Sequence, residues 1–249
     1  VDTKPKKSLG QHWLVSEGHI RQIVDAVGKP AGILEIGPGK GILTAPLSGR
    51  AKTIALELDP RMVEATKRAA PNVELIEADV LQTDLSAILA RLDGPRAVVS
   101  NLPYYITAAV VSRLCAVSTQ FDTAVLMMQE EVAQKLLAPA GLARRGSLSV
   151  AVQRHFEIET VTKVPPGAFK PPPKVESRVL KLTSRKLEPD ETLEKLVRRG
   201  FTQPRKTLAN NLGDREWVER AGLSPSVRPH QLLEEEWVRL AESARSRSS

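Results

Sequence analysis

The chain has 249 residues, is 41% hydrophobic and 26% charged, and carries a formal net charge of +7 at pH 7 with a pI near 9.6. That length holds one large domain, or a large and a small one, around a substantial core. A single cysteine, Cys115, excludes an internal disulfide, four scattered histidines give no metal-ligand spacing, and no run resembles a membrane span or a secretory leader, so a cytoplasmic monomer is expected.

In chain order, Ser16 is placed to cap a helix running to about Val27. Apolar runs near 32–36, 53–57, 73–77, 96–101, 121–128 and 147–154 predict strands, with helix-period segments between them. A further extended segment, Val175 to Leu182, follows a proline cluster. Such alternation predicts a parallel, doubly wound α/β sheet, and a late hairpin would add an antiparallel strand. Residues 190–243 show helical periodicity and no good strand. The expected division is therefore a domain over 1–187 and a small all-helical domain over 188–249.

The first strand runs into a glycine-rich loop, Leu34-Glu35-Ile36-Gly37-Pro38-Gly39-Lys40-Gly41-Ile42-Leu43-Thr44. Glycine allows close backbone approach to a ligand and positive φ. The glycines fall at 37, 39 and 41, which is not the G-x-G-x-x-G spacing of a dinucleotide site. Glu35 sits beside them, and a pyrophosphate on a helix N-terminus disfavours a carboxylate. A cationic sulfonium with an amino-acid arm tolerates one, so the loop points to S-adenosyl-L-methionine rather than NAD. Two more acids, Glu57 and Asp79, end later strands, where ligands of such sheets sit. Glu57 is placed to accept from ribose hydroxyls and Asp79 from an adenine amino group. The fourth strand ends in Asn101-Leu102-Pro103-Tyr104. The amide oxygen of Asn101 and a main-chain carbonyl of Leu102 or Pro103 can accept both N–H bonds of an exocyclic amine. Tyr104 can stack on its ring, and Phe169 either holds the other face or simply packs between prolines.

Between Arg144 and Lys186 there are ten basic residues and three acidic ones. Further clusters are Lys4, Lys6 and Lys7, and Arg198, Arg199, Arg205 and Lys206. Basic clusters of this kind suit a phosphate backbone. Few aromatics remain for stacking on single strands, so folded RNA read by shape is the expected partner.

These residues together resemble the bacterial small-subunit ribosomal RNA adenine N6,N6-dimethyltransferase family. The likeness runs through Lys6-Lys7-Ser8-Leu9-Gly10-Gln11-His12-Trp13-Leu14, Leu34 to Gly41, Glu57-Leu58-Asp59, Asp79 and Asn101 to Tyr104. It continues through Gln129 to Ala133, Phe169-Lys170-Pro171-Pro172-Pro173-Lys174-Val175-Glu176-Ser177 and Arg205-Lys206-Thr207-Leu208. The resemblance implies a Rossmann-like class I methyltransferase sheet. It implies S-adenosyl-L-methionine contacts from His12, Leu14, Gly37, Glu57, Asp79 and Asn101, and we include Gln11, Gly39, Gly41, Leu58 and Val80 in the expected cofactor set. It also implies dimethylation of two adjacent adenosines near the 3′ end of 16S rRNA within the small subunit. The expected RNA contacts add Arg144, Arg145, Lys170, Lys174 and Arg178 to the basic clusters. His12-Trp13 stands where the family often has Asn-Phe, and Arg145 where an aromatic is expected. The alternatives are a large-subunit rRNA methyltransferase of the antibiotic-resistance type and a non-catalytic ribosome-assembly factor.

Overall fold

A computed structural model describes residues 12–245. It opens with β1 (Trp13–Leu14) and α1 (Glu17–Ala26). Ser16 precedes α1 as expected, but its hydroxyl meets His19 Nδ1 at 2.8 Å instead of capping a backbone N–H. Strands and helices then alternate through β2 (Gly32–Ile36), α2 (Thr44–Ser48), β3 (Lys52–Glu57) and α3 (Pro60–Ala69). The series continues with β4 (Glu74–Glu77), α4 (Leu85–Leu89), β5 (Arg96–Asn101), α5 (Thr107–Ala116) and β6 (Thr123–Gln129). After α6 (Glu130–Leu136) and α7 (Ser147–His155) come β7 (Phe156–Val164), β8 (Phe169–Lys170) and β9 (Ser177–Ser184).

Seven strands form one sheet in the order β4-β3-β2-β5-β6-β9-β7. The first five are parallel, and β9 runs antiparallel between β6 and β7. Strands β2, β3, β5 and β6 are nearly continuous apolar runs because both of their faces are buried. The chain leaves β2 toward β3 on one side and returns with β5 on the other. The loops after β2 and β5 therefore diverge, opening a crevice at the carboxyl ends of the strands. A separate two-stranded ladder pairs Trp13 with Lys170 and Leu14 with Phe169.

The chain forms two compact units. One comprises the described part of Val1–Ala133 with His155–Leu187, and the other Gln134–Arg154 with the described part of Glu188–Ser249. The segment 134–154, expected in the first domain, thus belongs to the second unit. Its predicted strand at 147–154 is the helix α7, and the hairpin strand lies later, over Phe156–Val164. Leu148, Val150 and Val152 alternate as in a strand, but local hydrogen bonding starts a helix. The Gly146 N–H donates to Ser149 Oγ, and the Val150 N–H donates to the Gly146 carbonyl. Gln153 then bonds the carbonyls of Leu136 and Ala138 at 2.8 Å each. These contacts, and Val150 in the helical unit's core, tie the segment there.

The rest of that unit is helical: α8 (Glu191–Gly200), α9 (Leu208–Leu212), α10 (Arg215–Arg220) and α11 (Glu234–Arg245). Asp190, Thr207 and Asp214 cap α8, α9 and α10 with their side chains. On α8, Leu193, Leu196, Val197 and Gly200 make one buried stripe at helical spacing. It packs in a core with Phe201, Leu212, Val218, Leu232 and Trp237.

Candidate active site

The first unit holds a cavity at the carboxyl ends of β2, β3, β4 and β5. It is lined by Gly37, Gly39, Glu57, Leu58, Asp79, Val80 and Asn101 to Tyr104, with His12, Leu14 and Phe169 alongside. The strand register explains this gathering. Ile36 is level with Leu56 and Ser100, so the groups that follow all emerge at one edge.

The loop after β2 is built for an approaching ligand. Gly37 and Gly39 have φ of +68° and +58°. A Cβ on Gly37 would meet no atom within 4 Å, so that position opens onto the cavity. Gly41 does something else. A Cβ there would lie 2.8 Å from the Ala69 Cβ, so this glycine lets the loop pack on α3 and does not line the cavity. Gly41 therefore stands apart from the other residues of the expected cofactor set.

Glu57 anchors the loop. Its Oε2 accepts from the Gly39 N–H at 3.0 Å and its Oε1 from the Asp59 N–H at 2.9 Å. Burial raises its carboxyl above the ordinary value, while the backbone donors of Asp59, Gly39 and Leu58 oppose the rise. Asp59 caps α3 and is ion-paired with Arg61 at 2.6 Å. Asp79 accepts from the Leu81 N–H at 2.8 Å, which turns the chain and leaves the carboxylate at the cavity wall. Leu58 is 51% exposed although it lines the cavity, as an apolar face waiting for a flat ring would be.

Glu35 departs from its expected role. It is wholly buried, and burial, reinforced by the nearby Glu57 charge, pushes its carboxyl up to about 8; the Thr44 hydroxyl opposes this. Neither Glu35 Oε2 nor Thr44 Oγ1 has a hydrogen-bond partner, so burial dominates. Glu35 is therefore neutral at pH 7, and a sulfonium is not recommended by its charge. The unfolded chain releases this proton near 4.5 and the folded chain near 8. The contribution of Glu35 to stability is therefore greatest below 4.5 and falls as pH rises to 8, by at most about 1.4 kcal/mol per pH unit. In Glu35→Gln that loss is removed, and the gap in melting temperature between variant and parent should move in the variant's favour from pH 5 to pH 8. A pH-independent gap would remove Glu35 as the cause.

The Asn101 loop is held from three sides. Leu102 N–H donates to the Met127 carbonyl at 3.0 Å. The Pro103 carbonyl already accepts from the Ile106 N–H and from Thr107 Oγ1, at 3.2 and 3.1 Å. Of the two main-chain acceptors considered, Leu102 is thus the better suited. Asn101 Nδ2 donates to the His12 carbonyl at 3.4 Å, which turns Oδ1 toward the cavity as an acceptor. The His12 ring lies on Tyr104 with centroids 5.8 Å apart, and its Nδ1 is 2.8 Å from the Pro171 carbonyl. The Tyr104 hydroxyl reaches Ser177 Oγ at 3.3 Å. Phe169 is 3% exposed and packs in the core with Leu14, so packing is its principal role and only part of it faces the cavity.

Chemically, the cavity offers carboxylates for a ribose diol and an adenine amine, an open glycine for close approach, and an acceptor amide at one end. These fit an adenosine carrying a cationic amino-acid arm. The chain matches the description ribosomal RNA adenine dimethylase over residues 2–245. It belongs to that family. Its members are S-adenosyl-L-methionine-dependent methyltransferases, and the cofactor fits the cavity as described. The chain is 40% identical to the ribosomal RNA small subunit methyltransferase A of Geobacillus thermodenitrificans, over 95% of this chain and 89% of that one. It is also 40% identical to the protein of that name from Acidobacterium capsulatum, over 100% and 94%. Among solved structures, a dimethyladenosine transferase from Plasmodium falciparum superposes with a TM-score of 0.80 at 25% identity, covering 95% of this chain and 98% of that one. The 23S rRNA methyltransferase ErmE gives 0.66 at 29% identity, over 93% and 98%. The sheet with its antiparallel β9 and the helical end are those of this dimethylase family.

The basic residues divide. Lys4, Lys6, Lys7 and Gln11 lie outside the described residues. Lys170, Lys174, Arg144, Arg205 and Lys206 are exposed. Arg198 is exposed too, in a loose pair with Glu194 at 3.6 Å. Three others make hydrogen bonds within the protein, Arg199 among them while remaining exposed. Arg145 is 4% exposed and donates to the Leu232 carbonyl and to Gln153, so it braces the helical unit. Arg178 makes a two-pronged pair with Glu130. Arg199 donates to the Leu212 carbonyl at the end of α9. An arginine in a basic run reads alike in the sequence whether it points outward or inward, and only packing separates the cases. Lys40 and Tyr105, outside the expected site residues, also stand at the cavity wall. Tyr105 is 59% exposed, and burial with the Asp79 and Glu57 charges raises its phenol; its place directly after Tyr104 was the available signal.

Proposed function

We propose that this enzyme transfers two methyl groups to N6 of each of two adjacent adenosines near the 3′ end of 16S rRNA, during small-subunit assembly in the cytoplasm. The observation that carries this reading is near-full-length identity of 37–40% to proteins named for the small ribosomal subunit. The likeness to ErmE supports a second reading, in which the large subunit is the substrate.

The bound cofactor supplies an activated methyl on a sulfonium with a neutral leaving group. The residues of the chain deal with the other partner, an amine whose lone pair is delocalised into its ring. In the first transfer Asn101 Oδ1 and the Leu102 carbonyl accept its two N–H bonds, favouring a pyramidal nitrogen; the methylated nitrogen sheds one proton to water, and in the second transfer a single N–H remains to be accepted. Both acceptors are fixed before the base arrives, so they need no reorganisation during reaction. Tyr104 holds one face of the base, and its hydroxyl contact to Ser177 keeps the ring from turning. The base must leave any stack to enter. The exposed Lys170, Lys174, Arg144, Arg198, Arg205 and Lys206 bind the RNA backbone, so binding should weaken steeply with salt.

The test is transfer of labelled methyl to ribosomal subunits lacking this modification, with the modified bases mapped. Label on two adjacent adenosines near the 3′ end of small-subunit rRNA is expected. Label only on the large subunit moves the chain to the second reading. Tight RNA binding with no transfer identifies an assembly factor.

A further inference from the structure

The cavity has an uneven charge. Four acidic side chains line it, Glu35, Glu57, Asp59 and Asp79, of which Glu35 is neutral at pH 7 and Asp59 is paired with Arg61, against one lysine and no arginine among the described residues. That lysine is Lys40, at the crown of the loop between Gly39 and Gly41. Its Nζ stands 3.8 Å from the centroid of the Trp13 ring, an arrangement that fixes an ammonium over an aromatic face. Trp13 in turn is held by the β1–β8 pairing, and its Nε1 edge sits against Gly39, where a Cβ would be 3.6 Å away. The ammonium is thus positioned by three elements: the loop, β1 and β8.

The ligand has a matching asymmetry. S-adenosyl-L-methionine carries one carboxylate, at the end of its amino-acid arm. If ribose is at Glu57 and adenine at Asp79, the arm extends away from both, toward His12, Trp13 and Leu14. A ligand carboxylate entering this cavity meets the Glu57 and Asp79 side chains and is best held where a cation faces it, and charge-assisted pairs of this kind are the strong ones. We propose that Lys40, poised on Trp13, binds the cofactor's carboxylate and so makes the site selective for adenosyl ligands that keep the amino-acid arm. This rests on the cofactor placement proposed above.

The experiment is titration calorimetry with two probes. S-adenosyl-L-homocysteine has the arm and its carboxylate, whereas 5′-methylthioadenosine has neither. In Lys40→Met, the Kd for S-adenosyl-L-homocysteine should rise about tenfold, equivalent to about 1.4 kcal/mol, while the Kd for 5′-methylthioadenosine stays within about twofold. Lys40→Arg, which keeps the charge, should retain most of the parent's preference, and Trp13→Leu should lose part of it by releasing the ammonium. Equal weakening of both probes, or an unchanged Kd for S-adenosyl-L-homocysteine, overturns the proposal. Loss of RNA affinity with both nucleoside affinities intact also overturns it and assigns Lys40 to the RNA. Failure of the cofactor placement looks different: the parent would then bind neither probe, or Glu57→Ala would leave both affinities untouched.

Discussion

Asn101→Ala lowers kcat for methyl transfer by a factor of about 10²–10³, the usual cost of deleting one preorganised hydrogen-bonding group at a reacting centre. The loss falls on kcat because Oδ1 has its largest effect on the amine as its nitrogen pyramidalises. Affinity for the RNA should change by less than about twofold, since phosphate contacts elsewhere dominate it. Affinity for S-adenosyl-L-homocysteine should fall modestly, because the side chain also lines the cofactor cavity. The truncation leaves the His12 carbonyl without its Asn101 donor, at a cost to stability of about 1 kcal/mol. Single-turnover transfer of labelled methyl, with RNA binding measured in parallel, checks this. Near-normal turnover would take Asn101 out of the mechanism.

Trp237→Ala, in the full chain, should destabilise the helical unit by about 3–5 kcal/mol. Trp237 is fully buried and stacks on Phe201 with centroids 5.9 Å apart. The fit around it is close enough that a Cβ on Gly200 would come within 2.5 Å of the indole. The unit's core is small, so the cavity left by an indole cannot be refilled by its neighbours. Trp237→Phe should cost far less, because the indole N–H has no partner and its removal offsets part of the lost volume. Denaturant unfolding followed by circular dichroism and by the fluorescence of the remaining Trp13 and Trp217 reads both variants. The alanine variant should also bind RNA less well, as α8 carries Arg198. A cost below about 1 kcal/mol would mean that this core does not depend on the indole.

The five parallel strands were legible because each is an apolar run closed by a turn, and both the period and the punctuation survive in the linear sequence. That Glu57, Asp79 and Asn101 gather at one cavity was legible for the same reason, since a strand end is a place that spacing alone can locate. The segment 147–154 was not. Its alternation of Leu148, Val150 and Val152 fits a strand and a short amphipathic helix equally, and Gln153 decided between them through carbonyls at Leu136 and Ala138. Arg145 is buried and Arg178 is half-buried in its pair with Glu130, which the run of charges does not reveal because burial is a property of the packed chain. Gly41 was placed at the ligand because three glycines in a loop look alike, although only the packing of Ala69 distinguishes the third. Lys40 escaped notice because its partner, Trp13, lies in a different stretch of chain.

The acceptor that orients the Asn101 amide is a main-chain carbonyl, that of His12. Every substitution at position 12 keeps that atom. The amide's orientation is therefore written into the path of the backbone and is invisible to a scan of side chains. Such a scan would score position 12 by its ring and its contacts to Tyr104 and Pro171 alone. A change in the path itself, such as a one-residue deletion ahead of β1, is the kind of lesion that would turn the amide around and present an N–H where the incoming amine needs an oxygen.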